Sequence, residues 1–118
     1  MGDPGRGGCW RAATLASVAL AVVAGAAHAA PDADAAQALA RSNNCFKCHS
    51  VEKKKDGPSF KSTALKYAGK TDAQSVLVKH LTTGEKAKFP DGHEEEHKIV
   101  KARDPAEVKN LAEWILIQ

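Results

Sequence analysis

The sequence predicts an all-α fold of short helices joined by long loops. Apolar residues recur at helical spacing in several segments, a capping pattern marks the start of the last one, and no segment shows the alternation of a half-buried strand. A length of 118 residues allows one small domain.

Two short helices are predicted first. Residues 32–43 are rich in alanine and carry acidic residues in their first turn, where these favour the helix dipole. A loop punctuated by Gly57 and Pro58 follows. Residues 59–68 then form a second helix with aromatic and small side chains on one side, closed by Gly69.

Two further helices complete the prediction. The third is capped by one of residues 71–72, shows apolar residues at helical spacing, and stops at Gly84. The segment “EKAKFPDG” after it is predicted to be a loop. The last helix is the clearest, since Asp104 is its N-cap, Pro105 takes the first helical position and Glu107 completes a capping box.

Residues 1–29 are predicted to be a cleaved secretory signal peptide, which leaves residues 30–118 as the mature domain. Arg6 and Arg11 precede the apolar run “AATLASVALAVVAGAAHAA”, which is short for a membrane span and contains an A-x-A cleavage site. An uncleaved anchor is the alternative. Removing Arg6, Arg11 and Asp3 takes 17 basic and 14 acidic residues to 15 and 13, or +2, which is not typical of a nucleic-acid binder.

The mature domain has few large apolar residues with which to form a core. Its roughly 90 residues lie in the size range where burial is marginal, and much of its apolar content is alanine. Short, weakly apolar helices joined by loops therefore indicate that a bound group fills the centre of the domain.

“CFKCH”, residues 45–49, is the c-type haem attachment motif. The thiols of Cys45 and Cys48 each form a thioether with a haem vinyl group, and the adjacent His49 is the predicted proximal iron ligand. The predicted cofactor is therefore one covalently attached haem c. A dithiol redox site and a zinc site are the alternatives, but a dithiol site normally accompanies a βαβ pattern, which is absent.

The mature sequence resembles the small bacterial class I cytochromes c of the short-chain kind. The resemblance covers the haem motif with its following loop and helix, the turn in “HLTTGE”, and the final segment “DPAEVKNLAEWILIQ”. It implies a cytochrome c-like bundle of short helices wrapped around one covalently bound haem. It also implies that the Pro58 carbonyl accepts a hydrogen bond from the proximal histidine and so fixes its ring.

The sequence departs from that family at the sixth iron ligand, which is usually a methionine shortly before the last helix. The one methionine of this chain is Met1. Counting back from Asp104 places the family's methionine position at His97, so His97 is the predicted distal ligand. His93 is the alternative ligand, and a five-coordinate or water-bound iron is a third interpretation. His80 is expected to pack at the edge of its helix.

His93 and His97 also satisfy H-E-x-x-H, a pattern that binds zinc in many metalloproteases. A protease of that kind needs the motif within a long helix, usually a third ligand, and a cleft for a peptide. Here “PDG” directly precedes the motif and the chain is short, so a zinc hydrolase is the least favoured interpretation.

These observations predict an exported, periplasmic electron carrier rather than an enzyme. Imidazole in place of the family's thioether is expected to lower the reduction potential of the haem. The expected partners are redox proteins with an acidic docking surface. A lysine cluster beside the motif is expected to attract that surface: Lys47, Lys53, Lys54 and Lys55. No nucleic-acid partner and no membrane span after signal cleavage are expected. The alternative function is a haem-based sensor that binds a gas at a displaceable or absent sixth ligand.

Overall fold

The computed structural model describes residues 28–118 together with Gly2 and Gly5. Within this part of the chain the regular structure consists of α1 (Ala33–Ser42), α2 (Phe60–Tyr67), α3 (Ala73–Thr83), α4 (Pro105–Leu116), a 3₁₀ turn (Cys45–Lys47) and two short strands, β1 (Lys86–Lys88) and β2 (Glu94–Glu96). The all-α fold class is confirmed. The predicted signal peptide lies outside the described residues, apart from Gly2, Gly5 and its last two positions.

Capping side chains fix where the first and last helices begin. The Asp32 carboxylate accepts a hydrogen bond from the Ala35 amide at 3.0 Å. At the start of α4, the Asp104 carboxylate accepts one from the Ala106 amide at 2.8 Å, and the Glu107 carboxylate completes the predicted capping box. Each such cap stabilises its helix by about 1 kcal/mol.

The third helix begins and ends differently. Asp72 occupies the N-cap of α3, but its side chain makes no capping hydrogen bond. The helix stops at Gly84, whose φ of 66° lies in the left-handed region that glycine adopts without strain. No helix within the described residues is long and apolar enough to cross a membrane.

The fold is assembled around α4, because α1, α2 and α3 all pack against it. Phe60 of α2 meets Trp114 of α4 edge-to-face, with ring centroids 5.6 Å apart. From α1 the core receives two fully buried alanines, Ala36 and Ala40, and the partly buried Leu39 packs against it. The inward stripe of α4 is buried along its length: Val108, Leu111, Ala112, Trp114 and Ile115.

The predicted loop after α3 is wrong for part of its length, because β1 and β2 pair there as an antiparallel hairpin. Lys86 lies opposite Glu96 and Lys88 lies opposite Glu94, so opposite charges face each other across the strands. Each such pair contributes roughly 0.2–1 kcal/mol. Nearly every residue of the two strands is exposed, so no buried face produced the alternating pattern by which strands are found in a sequence.

Asn43 ties the end of α1 to the segment that leads into α4. Its side chain is buried and bonds the backbone of Lys101 in both directions. The Lys101 amide donates to Asn43 Oδ1 at 2.8 Å, and Asn43 Nδ2 donates to the Lys101 carbonyl at 3.0 Å. This link holds the turn that follows α1 against the segment that precedes α4.

Candidate functional site

A cavity of about 690 Å³ opens between the helices, the segment 43–58 and the β1–β2 hairpin. Its volume lies within the roughly 300–1,000 Å³ typical of small-molecule sites. One part of its wall is apolar and belongs to the core: Phe60, Leu77, Leu81, Val100, Leu111 and Ile115. The small set of large apolar residues therefore surrounds a space and does not fill it.

The 3₁₀ turn presents Cys45 and Cys48 to this cavity. Asn44 precedes the turn with a left-handed φ of 58°, and the amides of Cys48 and His49 both donate to the Cys45 carbonyl, at 3.2 and 3.0 Å. Both thiols are free and half-buried. Burial raises the pKa of the Cys45 thiol. Two thiols held on one tight turn suit attachment to one edge of a flat ligand.

The ring of His49 is fixed by its neighbours. Its Nδ1 lies 2.7 Å from the Pro58 carbonyl oxygen. Because a carbonyl can only accept, Nδ1 carries the proton and Nε2 keeps the lone pair that a metal needs. Phe60 stacks against the ring at a centroid distance of 5.5 Å. Gly57 leaves room for the ring, since a Cβ at this position would lie 2.5 Å from Cε1 of His49.

His97 lies just after β2 and lines the same cavity. The centroid of its ring is 6.1 Å from that of His49. Its amide donates to the Glu85 carbonyl at 2.9 Å, which holds this segment against the end of α3. Burial, and then the nearby His80 and His49, lower the pKa of the His97 imidazole. Its Nδ1 is buried without a hydrogen-bond partner.

His93, the alternative distal residue, lies beside the hairpin turn and is exposed. It is not among the residues that line the cavity. Its Nδ1 bonds the Asp91 carboxylate, its Nε2 lies 3.2 Å from Glu95, and its ring stacks on Phe89. The hydrogen bond with Asp91 is the main cause that raises the pKa of His93. The structure therefore separates the environments of the two candidate histidines.

The H-E-x-x-H match falls on β2 and its flanks, so His93 and His97 do not lie one helical turn apart. Among residues 28–118 no group of three or more His, Cys, Asp or Glu side chains is arranged to hold a metal ion. The helix and ligand set that a zinc protease needs are not found in this segment.

The position of His80 was only partly anticipated. It lines the cavity, and its ring centroid lies 4.3 Å from that of His97. Its Nδ1 is 3.5 Å from the Glu85 carboxylate. Sequence patterns also missed the roles of Gly57 and Glu85. His80 and His97 come into contact because the chain leaves α3 at Gly84, forms the hairpin and then passes back along the end of α3. Local sequence patterns do not predict a contact of this kind.

Lys47 of the lysine cluster lies within the haem motif, and residues 53–55 lie on the loop that follows it. All four side chains of the cluster belong to exposed residues, and Lys47 lies at the cavity wall. The Lys55 ammonium group donates to the Phe46 carbonyl. The cluster therefore places positive charge beside the opening of the cavity.

The chain is similar to known proteins over most of its length. The family model described as cytochrome c matches residues 33–117. Cytochrome c-552 of Nitrosomonas europaea is 41% identical over 103 residues, covering 87% of this chain and 90% of that protein. Cytochrome c-551 of Pseudomonas denitrificans is 33% identical over 78 residues, covering 66% of this chain and 90% of that protein.

Solved structures show the same relationship. The class 1 cytochrome MtoD of Sideroxydans lithotrophicus ES-1 is 63% identical with a TM-score of 0.73, covering 75% of this chain and 97% of that one. Cytochrome c552 of Nitrosomonas europaea is 39% identical with a TM-score of 0.54, covering 68% of this chain and 95% of that one.

The residues of the cavity fit the cofactor of this family, one covalently attached c-type haem. Cys45 and Cys48 supply the two attachment thiols, and the glycine beside His49 leaves the space in which its ring lies. The relatives are electron-transfer haem proteins. This chain belongs to the cytochrome c family.

Proposed function

We propose that this protein is an exported one-electron carrier whose haem iron is held between His49 and His97. The observation that carries the proposal is the 6.1 Å separation of the two ring centroids across the cavity. Two imidazoles that share a metal at metal–nitrogen distances of about 2 Å have their ring centres roughly 6 Å apart. The chain has no methionine other than Met1 with which to replace either ring.

On the proximal side, the surroundings of His49 keep its Nε2 available to the iron. The hydrogen bond from Nδ1 to the Pro58 carbonyl sets both the tautomer and the orientation of the ring, and it increases the basicity of the ligand. Gly57 and Phe60 restrict the ring from its two sides. The ligand is therefore in place before the iron arrives.

On the distal side, the surroundings of His97 favour a neutral imidazole. A histidine must be deprotonated to bind a metal, and burial lowers the pKa of this one. His93 has the opposite character, because its carboxylate partners raise its pKa and occupy both ring nitrogens. We therefore retain His97 as the proposed sixth ligand.

When bound, the haem would supply one-electron chemistry at its iron, and its reduction potential would depend on the residues that hold the iron. His97 supplies a nitrogen donor where the family usually has a softer thioether, so the ferric form is stabilised and the reduction potential is lowered. The protein residues themselves take up no substrate atoms. The proposed role is therefore electron transfer without catalytic turnover.

The test is the electronic spectrum of the purified holoprotein, measured for wild type and two variants. Wild type is expected to be low-spin in both oxidation states. His97→Ala is expected to become high-spin or water-bound and to take up carbon monoxide readily when reduced. His93→Ala, a matched histidine outside the cavity wall, is expected to keep the wild-type spectrum.

Other results would change the assignment of the sixth iron ligand. A low-spin His97→Ala beside a high-spin His93→Ala would make His93 the ligand. A wild type that is already high-spin, and binds carbon monoxide at neutral pH, would replace the carrier by a gas-binding sensor.

We also propose that residues 1–29 direct export to the periplasm and are removed there. The support is the pair of arginines and the apolar run with the A-x-A site near its end. Mass spectrometry of haem-loaded protein purified from the periplasm tests this, and a mature chain that still begins at Met1 would contradict cleavage.

We further propose that the lysine cluster, Lys47 with residues 53–55, steers an acidic redox partner. Lys47 lies at the cavity wall and the other three lysines are exposed on the loop that follows, so this charge would accelerate the encounter more than it would strengthen the complex. The electron-transfer rate is expected to fall at high ionic strength and in Lys53→Glu or Lys54→Glu. A rate that ignores both changes would leave the cluster with a role in solubility alone.

A further inference from the structure

His49 and His97 differ in the hydrogen bonding of their Nδ1 atoms. His49 Nδ1 donates to the Pro58 carbonyl at 2.7 Å. His97 Nδ1 is buried and makes no hydrogen bond. A buried polar atom without a partner costs about 1–3 kcal/mol, and histidines that bind metals almost always donate their other N–H to an acceptor. The Nδ1–H of His97 therefore needs a hydrogen-bond acceptor.

His80 is placed to be that acceptor. Its ring lies beside that of His97, at a centroid distance of 4.3 Å and an interplanar angle of 43°. The ring centroids are close enough for one nitrogen of each ring to come within hydrogen-bond range, about 2.7–3.2 Å, when the rings reorient. His80 also lines the cavity, on the same side as His97.

Glu85 sets the orientation of His80. Its Oε2 lies 3.5 Å from His80 Nδ1, while its Oε1 lies 3.2 Å from the Lys79 ammonium group. A carboxylate beside Nδ1 favours the tautomer in which Nδ1 carries the proton and Nε2 is an acceptor. Glu85 thus leaves the outer nitrogen of His80 free to receive a proton donor.

Backbone hydrogen bonds fix the spacing between the two histidines. The His97 amide donates to the Glu85 carbonyl at 2.9 Å, and the Val100 amide donates to the Leu81 carbonyl at 2.8 Å. The segment after the hairpin is thereby pinned to the last turn of α3, which carries His80. The ring pair is therefore a consequence of two fixed backbones and not of a mobile surface contact.

We propose that His80, oriented by Glu85, is a positioning residue for the distal ligand, its Nε2 accepting a hydrogen bond from the Nδ1–H of His97. The inference rests on the proposed function, because it takes His97 as the sixth ligand. His80 would accept a hydrogen bond from the distal imidazole, as the Pro58 carbonyl does from the proximal one. The added electron density on His97 stabilises ferric iron and lowers the reduction potential further.

The test compares reduction potentials of the holoprotein at one fixed pH. His80→Leu is expected to shift the ferric/ferrous equilibrium toward ferrous by about tenfold, which for one electron is about 59 mV upward. His80→Gln, whose side-chain carbonyl is again an acceptor, is expected to return most of the shift. His93→Ala is the matched control and is expected to keep the wild-type potential.

A second pair of variants examines Glu85. Glu85→Gln and Glu95→Gln each remove one negative charge from a residue that lines the cavity. Only Glu85 lies beside His80, so Glu85→Gln is expected to raise the potential more than Glu95→Gln does. Equal shifts in the two variants would overturn the orienting role of Glu85.

The outcomes separate this inference from the proposed function. A His80→Leu protein with the wild-type potential would overturn the inference, as would a His80→Gln protein that behaves like His80→Leu. Both results leave His97 as the ligand if wild type is low-spin and His97→Ala is high-spin. A high-spin His80→Leu beside a low-spin His97→Ala would make His80 the ligand and would overturn both proposals.

Discussion

Gly57 lies so close to His49 that the imidazole ring occupies the place where any other residue would carry its Cβ. That atom would be 2.5 Å from Cε1 and 2.8 Å from Nδ1 of His49. The backbone at Gly57 has no positive φ, so the close approach itself, and not an unusual conformation, requires glycine here. The next residue, Pro58, then presents its carbonyl to the same ring.

Gly57→Ala is therefore expected to displace the His49 ring. Overpacking of this kind costs about 1–3 kcal/mol of unfolding free energy, and the displaced ring changes the iron's ligand field. Denaturant unfolding and the electronic spectrum of the holoprotein are the measurements.

Gly69→Ala is the control for this variant. A Cβ at Gly69 meets nothing within 4 Å, although its φ of 75° imposes backbone strain. It is expected to lower stability while leaving the spectrum unchanged. A Gly57→Ala protein with wild-type stability and spectrum would show that His49 is not confined as described.

The Asn43 link predicts a stability effect at a residue that lines the cavity but is neither an attachment thiol nor a proposed iron ligand. Asn43→Leu removes both hydrogen bonds with the Lys101 backbone and leaves buried polar groups unpaired, so a loss of about 2–4 kcal/mol is expected. Asn43→Asp keeps the acceptor and loses the donor. It is expected to fall between Asn43→Leu and wild type in denaturant unfolding.

An Asn44→Gly variant is the control for this region. Asn44 is exposed and has a φ of 58°, which glycine adopts readily. It is expected to keep stability close to wild type. Equal losses in the Asn43 and Asn44 variants would point to the turn and not to the side-chain link.

Loss of both attachment thiols is expected to unfold the domain. The Cys45→Ala, Cys48→Ala double variant cannot form thioethers, and the apolar residues then surround an unfilled cavity of about 690 Å³. A domain of this size buries little apolar surface and is only marginally stable without the haem. Far-ultraviolet circular dichroism and haem staining after denaturing electrophoresis measure the two losses, and covalent haem in the double variant would contradict the assignment.

The pH dependence of the hairpin follows from His93. The hydrogen bond with Asp91 raises its pKa above the ordinary 6.5. A raised pKa in the folded state means that the contribution to stability is fully present below pH 6.5 and is lost as the pH rises through the raised value. Asp91→Asn is expected to bring the pKa of His93, followed by NMR, back toward 6.5. Glu95→Gln should lower this pKa less, because Asp91 is the larger cause.

Local patterns in the sequence predicted most of the helical structure. Asp104 and Glu107 act within one helical turn, so their capping box could be recognised from spacing alone. The haem motif is equally local, because Cys45, Cys48 and His49 belong to one short turn.

Features that depend on contacts between segments distant in sequence could not be predicted from local patterns. The hairpin has charged residues on both faces and so lacks an apolar stripe. The contact between His80 and His97 depends on the hairpin between them. The place of His97 opposite His49 was expected only through the resemblance to a family, and the residues that surround its ring were not.

Exchange of His97 for methionine gives the most direct test of the distal position. The His97 amide is held by the Glu85 carbonyl at 2.9 Å, and this backbone bond does not depend on the side chain. Methionine is unbranched and flexible, so its sulfur can reach across an irregular cavity. His97→Met is therefore expected to gain the far-red band of methionine-to-iron coordination and a higher reduction potential. His97→Leu, of similar size but without a donor atom, is expected to become high-spin and to bind carbon monoxide. If His97→Met and His97→Leu both keep the wild-type spectrum, the sixth ligand lies elsewhere in the chain.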